Sequence, residues 1–247
     1  MGEVMVLCYH AVSPTWDASL SVTPERLERQ LTGLVIAGWR GATFRDAVLR
    51  RVDGRALVVS FDDAFASVHR LAFPILASLG LVGTVFAPSA FMPDGAPLSW
   101  PGVDHWLSGP HAAEMAAMTW TELGELQAAG WEIGSHTVTH PHLTALDDQA
   151  LQSELSESRQ AIAQALGRCD TIAYPYGDVD ARVADAAQRC GYTAGAALSR
   201  ALTERGPYLW PRIGVYHLDS GWRFGLKTSS GLRRARATRW WPAEQRT

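Results

Sequence analysis

The 247-residue chain has few cysteines and no excess of either charge, and both features exclude classes of protein. Its three cysteines, Cys8, Cys169 and Cys190, form no CxxC pair. This spacing argues against a disulfide framework and against a structural zinc site. The net charge of −3 gives no reason to expect nucleic acid as a partner. The composition is that of an ordinary globular protein.

The chain also lacks a convincing membrane span or secretory signal. One uncharged stretch, residues 71–92, has the length of a span, but two prolines and two glycines interrupt it. We interpret it as a helix end, a turn and a buried strand. The first residues lack the charged segment, apolar segment and cleavage site of a secretory signal, so we expect a cytoplasmic location.

Basic charge is concentrated at the end of the chain. Residues 223–247 carry seven lysines and arginines against one acidic side chain, Glu244, and they include Trp240 and Trp241. We predict a domain at residues 1–222 followed by a basic, flexible C-terminal tail. A solvated end is the simpler interpretation, and weak contact with an acidic membrane surface is the alternative.

Strand-like and helix-like segments alternate along most of the chain. The predicted strands are residues 4–9, 56–61, 82–87, 132–135, 171–174, 193–198 and 212–216. The predicted helices are residues 24–37, 66–79, 121–129, 147–166 and 179–190. Apolar strands that alternate with helices indicate parallel pairing. Seven or eight of them predict an α/β fold with a closed barrel in a single domain, and an open doubly wound sheet is the competitor.

Reactive side chains directly follow several of the predicted strands. Asp62 and Asp63 end "LVVSFDD", His10 follows "VLCY", and His136 follows "EIGS". In both candidate architectures, chemistry gathers at the C-terminal ends of the strands. We therefore expect these side chains to share one site.

A second histidine, His140, stands four positions after His136. Both imidazoles can reach one ion at this spacing, and two histidines with one carboxylate form an open, zinc-type catalytic site. One of Asp62 and Asp63 can then ligate the metal while the other takes a proton from water. We assign His142 to packing. A non-haem iron oxygenase uses the same three ligand types, but the order of the ligands along this chain argues against it.

Three segments together resemble one enzyme family. "SFDDAFAS", "SHTVTHPHL" and "AYPYGD", in this order, resemble the polysaccharide deacetylase (NodB-homology) family, carbohydrate esterase family four. "VLCYHAV" is similar to the family's first strand, and the likeness spans residues 4–215. The resemblance implies a deformed (β/α)7-type barrel. It also implies metal-dependent hydrolysis of an acetyl group, N-acetyl rather than O-acetyl, from a sugar, polysaccharide or lipid-linked glycan.

The resemblance also implies roles for individual residues. Asp62 would be the general base. Asp63, His136 and His140 would hold one divalent metal ion, for which zinc is our first choice. An acetylated sugar or glycan would be the partner.

Further residues would bind the substrate or its transition state. By resemblance, the backbone N–H of Tyr176 would hold the oxyanion, and Tyr174, Pro175 and Tyr176 would form one wall of the groove. Trp100 lies in the long connection 89–119, where its ring could stack on a sugar or could pack the loop onto the barrel.

The sequence departs from the family pattern at several positions. Ala64 replaces a usual glycine, and we expect an ordinary backbone there, with Ala64 opening the next helix. Ala173 replaces the arginine that usually pairs with the base. Arg212 is our candidate to supply that charge, and a purely structural salt bridge is the alternative. His10 and His217 are both candidates for the general acid.

A second functional hypothesis is a carbohydrate-binding protein that kept the fold and lost turnover. The presence of all four residues Asp62, Asp63, His136 and His140 favours the enzyme. With a cytoplasmic location, the substrate would be a small or lipid-linked sugar.

Overall fold

The structure is a computed structural model that describes residues 2–198, 202 and 206–238. Its strands are β1 (Glu3–Tyr9), β2 (Ala11–Val12), β3 (Ser21–Val22), β4 (Arg40–Gly41), β5 (Arg55–Phe61), β6 (Gly83–Ala87), β7 (Glu132–Ser135), β8 (Thr171–Ala173), β9 (Ala194–Ala197), β10 (Trp210–Pro211) and β11 (Ile213–Gly214). Its α-helices are α1 (Pro24–Ile36), α2 (Phe44–Leu49), α3 (Phe73–Ser78), α4 (Trp120–Ala128), α5 (Asp148–Leu166), α6 (Ala181–Arg189), α7 (Gly221–Thr228) and α8 (Ser230–Arg236).

The main sheet forms a nearly closed barrel of parallel strands. Its hydrogen-bonded order is β10, β9, β8, β7, β6, β5, β1 and β11, and β4 pairs with β5. Only Arg212 separates β10 from β11, so the two ends of this order are consecutive in the chain and close the barrel. Counted as one bent strand, they bring the barrel to about seven strands. The predicted α/β fold, a deformed (β/α)7-type barrel, is confirmed.

Side chains of successive strand residues enter two different apolar cores. In β5, Leu57 and Val59 belong to the larger cluster, which also contains Leu123 of α4, so they face the helices. Val58, between them, belongs to a smaller cluster with Phe86 of β6. This division follows from the two-residue period of a strand and places the smaller cluster inside the barrel.

Two predicted elements are interrupted. The predicted helix 66–79 begins at Ala66, as predicted, but passes through a π-helical turn, Val68–Ala72, before α3. Pro74 explains the break, because proline has no N–H and its ring clashes with the carbonyl four residues earlier. The predicted strand 212–216 is shorter, since regular pairing is limited to β11. The uncharged stretch 71–92 contains α3 and β6, as predicted.

Two helices follow the barrel at the C-terminal end. The predicted boundary at residue 222 falls within α7, where Phe224 is buried. In α8, Arg233 donates to Glu3 of the first strand over 2.5 Å. The flexible tail and its membrane contact stay predictions, since Trp240 and Trp241 lie outside the described residues. No helix within the described ranges is long and apolar enough to cross a membrane.

Candidate active site

The strand register brings the predicted site residues to one end of the barrel, which we call the mouth. Tyr9 of β1 pairs with Phe61 of β5, so the residues that follow them, His10 and Asp62, lie at the same level. The N–H of His136 donates to the carbonyl of Ala87 at the end of β6 over 2.9 Å. The C-terminal ends of parallel strands meet here, as predicted.

Asp63, His136 and His140 converge at the mouth. The Oδ1 atom of Asp63 lies 3.4 Å from Nε2 of His136 and 3.3 Å from Nε2 of His140. All three side chains are buried, and Asp63 Oδ1 has no hydrogen-bond partner among the described residues. Two imidazole nitrogens and one carboxylate oxygen aimed at one point are a donor set that fits a divalent cation.

The tautomer of His136 is fixed by its surroundings. Its Nδ1 lies 2.8 Å from the carbonyl oxygen of Ala173. Because a carbonyl can only accept, Nδ1 donates and the lone pair of Nε2 faces Asp63. This arrangement is typical of metal-ligating histidines.

Burial and charge act in opposite directions on these groups. Burial opposes ionisation of Asp63, but His136 and His140 outweigh it and hold the pKa of Asp63 well below its usual range. Burial also disfavours charge on the histidines. The pKa of His136 is nevertheless raised by Asp62 and Asp63, whereas burial prevails at His140 and lowers its pKa. The mouth is therefore a buried, anionic site.

Asp62 is paired with Arg212 in a bidentate ion pair. The two guanidinium nitrogens Nη1 and Nη2 donate to Oδ1 and Oδ2 over 2.6 and 2.8 Å, and Arg212 is 1% exposed. The thiol of Cys8 donates to Oδ2 over 3.4 Å. Burial alone would raise the pKa of Asp62, but Arg212, together with His136 and His10, more than offsets it and the pKa is lowered. Arg212 thus provides the positive charge beside Asp62 that Ala173 cannot provide.

The backbone at the mouth is strained. Among the described residues, positive φ at non-glycine positions occurs at Asp63 (68°), Ala64 (54°), Thr137 (69°), His140 (64°) and Tyr176 (60°). Each of these residues lies within five positions after the end of a barrel strand. Such conformations cost free energy and cluster at functional sites.

The expectation of an ordinary backbone at Ala64 is therefore wrong. The chain turns sharply after β5, and the turn is held by hydrogen bonds to a neighbouring segment. The N–H of Met118 donates to the carbonyl of Ala64 over 2.8 Å, and the N–H of Ala66 donates to that of Ala116 over 2.8 Å. Ala64 does not open the helix, because Phe65 forms an isolated bridge with Ala117 and the helical residues begin at Ala66.

Glu154 of α5 holds the loop between the two histidines and was missed in the sequence. Its Oε2 accepts from the N–H groups of Val138 and Thr139 over 2.8 and 3.0 Å. Its Oε1 accepts from the hydroxyl of Thr139 over 2.6 Å. No sequence signal marks this residue, since only tertiary folding brings α5 to the loop.

Tyr176 lies against His140 and His142. Its ring stacks on His142 at 3.9 Å between centroids and meets His140 edge-on at 4.6 Å. The Nδ1 atom of His142 is 3.5 Å from Oδ2 of Asp178. The Tyr176 side chain remains 36% exposed, so it can contact a ligand at the mouth.

The neighbouring residues Tyr174 and Pro175 are buried. The hydroxyl of Tyr174 donates to the carbonyl of Tyr208 over 2.9 Å, and the side chain is fully buried. A Cβ added at Gly195 would come within 2.3 Å of that hydroxyl, so the tyrosine fills space left by a glycine. Tyr174 therefore offers no surface to a substrate, contrary to its predicted place in a groove wall, and buried Pro175 shapes the turn beneath Tyr176.

Trp100 packs on a metal-ligand candidate. Its ring stacks on that of His140 with centroids 4.1 Å apart, and Phe91 meets its ring edge-on at 5.7 Å. Only 6% of Trp100 is exposed. Of the two interpretations made from the sequence, packing of the loop onto the barrel fits this contact, and sugar stacking stays a prediction.

The two general-acid candidates differ in position. His10 is buried beside Asp62, and ligand atoms of Cys8, His10 and Asp62 lie within 4.8 Å of one another. Burial lowers the pKa of His10. His217 is half-buried, and among the described residues it makes no ion pair or hydrogen bond with Asp62 or Asp63. Its N–H instead donates to the carbonyl of Ser19.

Comparison with known proteins gives concordant matches. A family model described as polysaccharide deacetylase matches residues 50–195. The putative polysaccharide deacetylase YxkH of Bacillus subtilis (strain 168) is 25% identical over 237 residues, which is 93% of this chain and 77% of that protein.

Two solved structures share the fold. The deacetylase PplD of Streptococcus pyogenes, solved in complex with acetate, has a TM-score of 0.75 at 20% identity, covering 92% of this chain and 98% of its own. A de-N-acetylase from Aggregatibacter actinomycetemcomitans has a TM-score of 0.75 at 19% identity, covering 91% and 99%.

Proposed function

Because the chain belongs to the polysaccharide deacetylase family, we propose that it removes acetyl groups from a carbohydrate by metal-dependent hydrolysis, with an N-acetyl group as the target. Family membership supports deacetylation. The observation that supports the metal-dependent form is the approach of Asp63 Oδ1 to within 3.4 Å of the Nε2 atoms of both His136 and His140.

Asp63, His136 and His140 would hold a divalent ion, and we propose zinc for this donor set. Once bound, the ion would polarise the acetyl carbonyl and lower the pKa of a water molecule. The hydrogen bond from His136 Nδ1 to the carbonyl of Ala173 orients that ligand. Trp100 orients the second histidine by stacking on His140.

Asp62 would accept the proton of the attacking water. Its Oδ2 lies 4.0 Å from Nε2 of His136 and so faces the metal site. Arg212 keeps the carboxylate ionised and fixes its plane by bidentate bonding. Oδ1 accepts from Arg212 alone among the described residues and retains lone-pair capacity for a proton, whereas Oδ2 also accepts from the Cys8 thiol.

The carbonyl oxygen of the acetyl group would become an oxyanion, for which the backbone N–H of Tyr176 is the proposed donor. The hydrogen bonds donated by Gly177 and Asp178 hold this turn at 2.9 Å each. Of the two general-acid candidates, His10 lies beside Asp62, so we assign proton delivery to the leaving nitrogen to His10.

The test is acetate release from N-acetylated chito-oligosaccharides and from O-acetylated xylan by the zinc-loaded and chelator-treated protein. We expect release from the N-acetylated substrate, loss on chelation and recovery with zinc. Asp62→Asn should retain the metal and lose about 10²- to 10⁴-fold in kcat. Asp53→Asn, at an exposed position, is the matched control.

Other results would overturn the proposal. Activity unchanged by chelation or by Asp62→Asn would contradict the mechanism. A bound metal without acetate release from either substrate would favour the carbohydrate-binding alternative. A requirement for Fe(II) and O₂ would favour an oxygenase.

A further inference from the structure

An apolar cavity lies beside the mouth and takes no part in the chemistry described above. Its volume is about 480 Å³, within the range of small-ligand sites. It is lined by Ser19, Tyr216, His217, Leu218, Asp219, Trp222, Arg223, Leu226 and Lys227.

Three large apolar side chains of this lining are exposed. Leu218 is 70% exposed, Trp222 69% and Leu226 53%. They are spaced four residues apart, and Trp222 and Leu226 therefore share one face of α7. Contiguous exposed apolar surface of this kind marks a binding site.

The polar groups at the cavity divide into paired and unpaired ones. Lys227 is paired with Asp219, Nζ to Oδ2, at 2.6 Å. Arg223 lies over the ring of Trp222 at 5.5 Å and forms no ion pair among the described residues. The Nδ1 atom of His217 is buried without a hydrogen-bond partner in the same part of the chain. The rim thus offers one cation, Arg223, that forms no ion pair among the described residues, beside an apolar lining.

One side chain, Tyr216, lies between the cavity and the reaction centre. Tyr216 lines the cavity and also stacks on His10 with ring centroids 6.1 Å apart. His10 in turn lies beside Asp62. Trp222 and the reaction centre are thus on either side of Tyr216, which suits a ligand with a sugar at the mouth and an apolar group in the cavity.

We propose that this cavity binds the apolar aglycone of an amphiphilic acetylated saccharide, a glycolipid whose alkyl or polyprenyl chain is joined to the sugar through an anionic group. The apolar lining accounts for the chain, and Arg223 accounts for the anionic linkage. The proposal rests on the proposed deacetylase activity, since it names the substrate class of the same site.

The test compares methyl and octyl glycosides of N-acetylglucosamine, with the octyl compound below its critical micelle concentration, and N-acetyl chitotetraose as a water-soluble substrate. We expect the KM for the octyl glycoside to be at least tenfold below that for the methyl glycoside. Trp222→Ala and Leu226→Ala should remove this difference without changing kcat/KM for the methyl glycoside. Ile36→Ala, which removes another exposed apolar side chain, should leave it intact.

A second arm tests the anionic linkage. Octyl phosphate should inhibit hydrolysis of the octyl glycoside at least tenfold more strongly than 1-octanol, and Arg223→Gln should remove this preference. Equal inhibition by the two compounds would overturn the role given to Arg223.

Three results would overturn the aglycone site. One is equal KM for the methyl and octyl glycosides in the unaltered protein. Another is a rise in KM for chitotetraose in Trp222→Ala that equals the rise for the octyl glycoside, which would show a sugar subsite. A third is Trp222-dependent sedimentation with anionic phospholipid vesicles alone, without any octyl preference, which would show a membrane contact.

Calorimetry separates this proposal from the proposed function. Octyl glycoside binding to the Asp62→Asn protein should be lost in the Asp62→Asn, Trp222→Ala double variant. If that holds but no substrate releases acetate, the deacetylase proposal fails and the amphiphile site stands. If acetate is released but chain length has no effect on binding, the site fails and the deacetylase proposal stands.

Discussion

The two ends of the barrel differ in how they hold their carboxylates, which are buried at the mouth and half-buried at the other end. At the mouth, Asp62 is paired with Arg212 and Asp63 lies beside His136 and His140, and the pKa of each carboxyl group is lowered. At the other end, which we call the base, Glu132 starts β7 and accepts from the hydroxyls of Thr84 and Thr171 at 3.2 and 2.5 Å. Burial prevails there and raises the pKa of Glu132.

The backbone shows the same contrast. The strained non-glycine residues of the described chain all follow strands at the mouth, whereas Gly130 takes the positive φ just before β7 at the base. At the end opposite the mouth, a glycine and neutral hydroxyl groups hold the barrel together with little backbone strain. At the mouth, the strained aspartate, histidine and tyrosine lower the stability of the fold but hold the geometry that a ligand requires.

The largest effect should come from removing a ligand at the mouth. Asp63→Ala takes away the one carboxylate that contacts both His136 and His140, so we expect loss of metal binding and of acetate release. Elemental analysis of the purified protein together with the acetate assay checks this. Asp53→Ala should keep both properties, and one retained metal equivalent in Asp63→Ala would contradict the site.

Removing Arg212 should be the next largest effect. Arg212→Met leaves Asp62 buried without its partner, and we expect unfolding free energy to fall by about 3–5 kcal/mol in urea denaturation. The double variant with Asp62→Asn should recover much of that loss, because no uncompensated charge remains. Equal stability of the Arg212→Met and unaltered proteins would show that the pair is not needed.

In the Arg212→Met variant, the pH dependence of stability and of activity should also change. The folded-state pKa of Asp62 is lowered, so its contribution to stability is present above its unfolded pKa and is lost as pH falls through the folded value. Without Arg212 that pKa rises. The acid limb of kcat/KM should therefore move to higher pH, and an unmoved limb would argue against Asp62 as the base.

A smaller effect is expected from the loop support. Glu154→Gln weakens the bonds to the N–H groups of Val138 and Thr139 that set the loop before His140. We expect metal affinity to fall about 10- to 100-fold in competition with a chelating dye. Glu157→Gln, an exposed change on the same helix, is the control, and equal affinities in the two variants would remove Glu154 from the site.

The smallest effect should come from Glu132, at the end of the barrel opposite the mouth. The pKa of Glu132 is raised in the folded protein, so the unfolded chain ionises first and stability falls as pH rises from the unfolded to the folded pKa. Glu132→Gln should remove that fall, seen as a flatter dependence of urea midpoint on pH. A dependence identical to that of the unaltered protein would contradict the raised pKa.

The sequence was informative about the site because parallel strands place their C-terminal ends at one edge. Asp63, His136 and His140 come from two strand ends, and their residue types already predict a metal site. Arg212 could be named as a partner of Asp62, but not placed, since its position depends on how β10 and β11 close the barrel.

Other features depend on tertiary contacts that leave no local pattern. Ala64 adopts a positive φ against its own preference because its neighbours are tied to the segment around Met118. Tyr174 turns into the space above Gly195 rather than toward a ligand. Glu154 reaches its loop across the fold, and α7, which contains two glycines, was not predicted as a helix.

The Asp62–Arg212 pair also bears on how the protein is made. The two residues are 150 positions apart, and Arg212 sits where the last strands close the barrel. A ribosome delivers both aspartates long before it delivers Arg212. Until then the sheet is open, and water solvates carboxylates that could not be buried alone. We therefore expect the barrel to close and the proposed catalytic base to assemble in the same folding step. A partly synthesised chain that ends before Arg212 would have neither a closed barrel nor a paired Asp62.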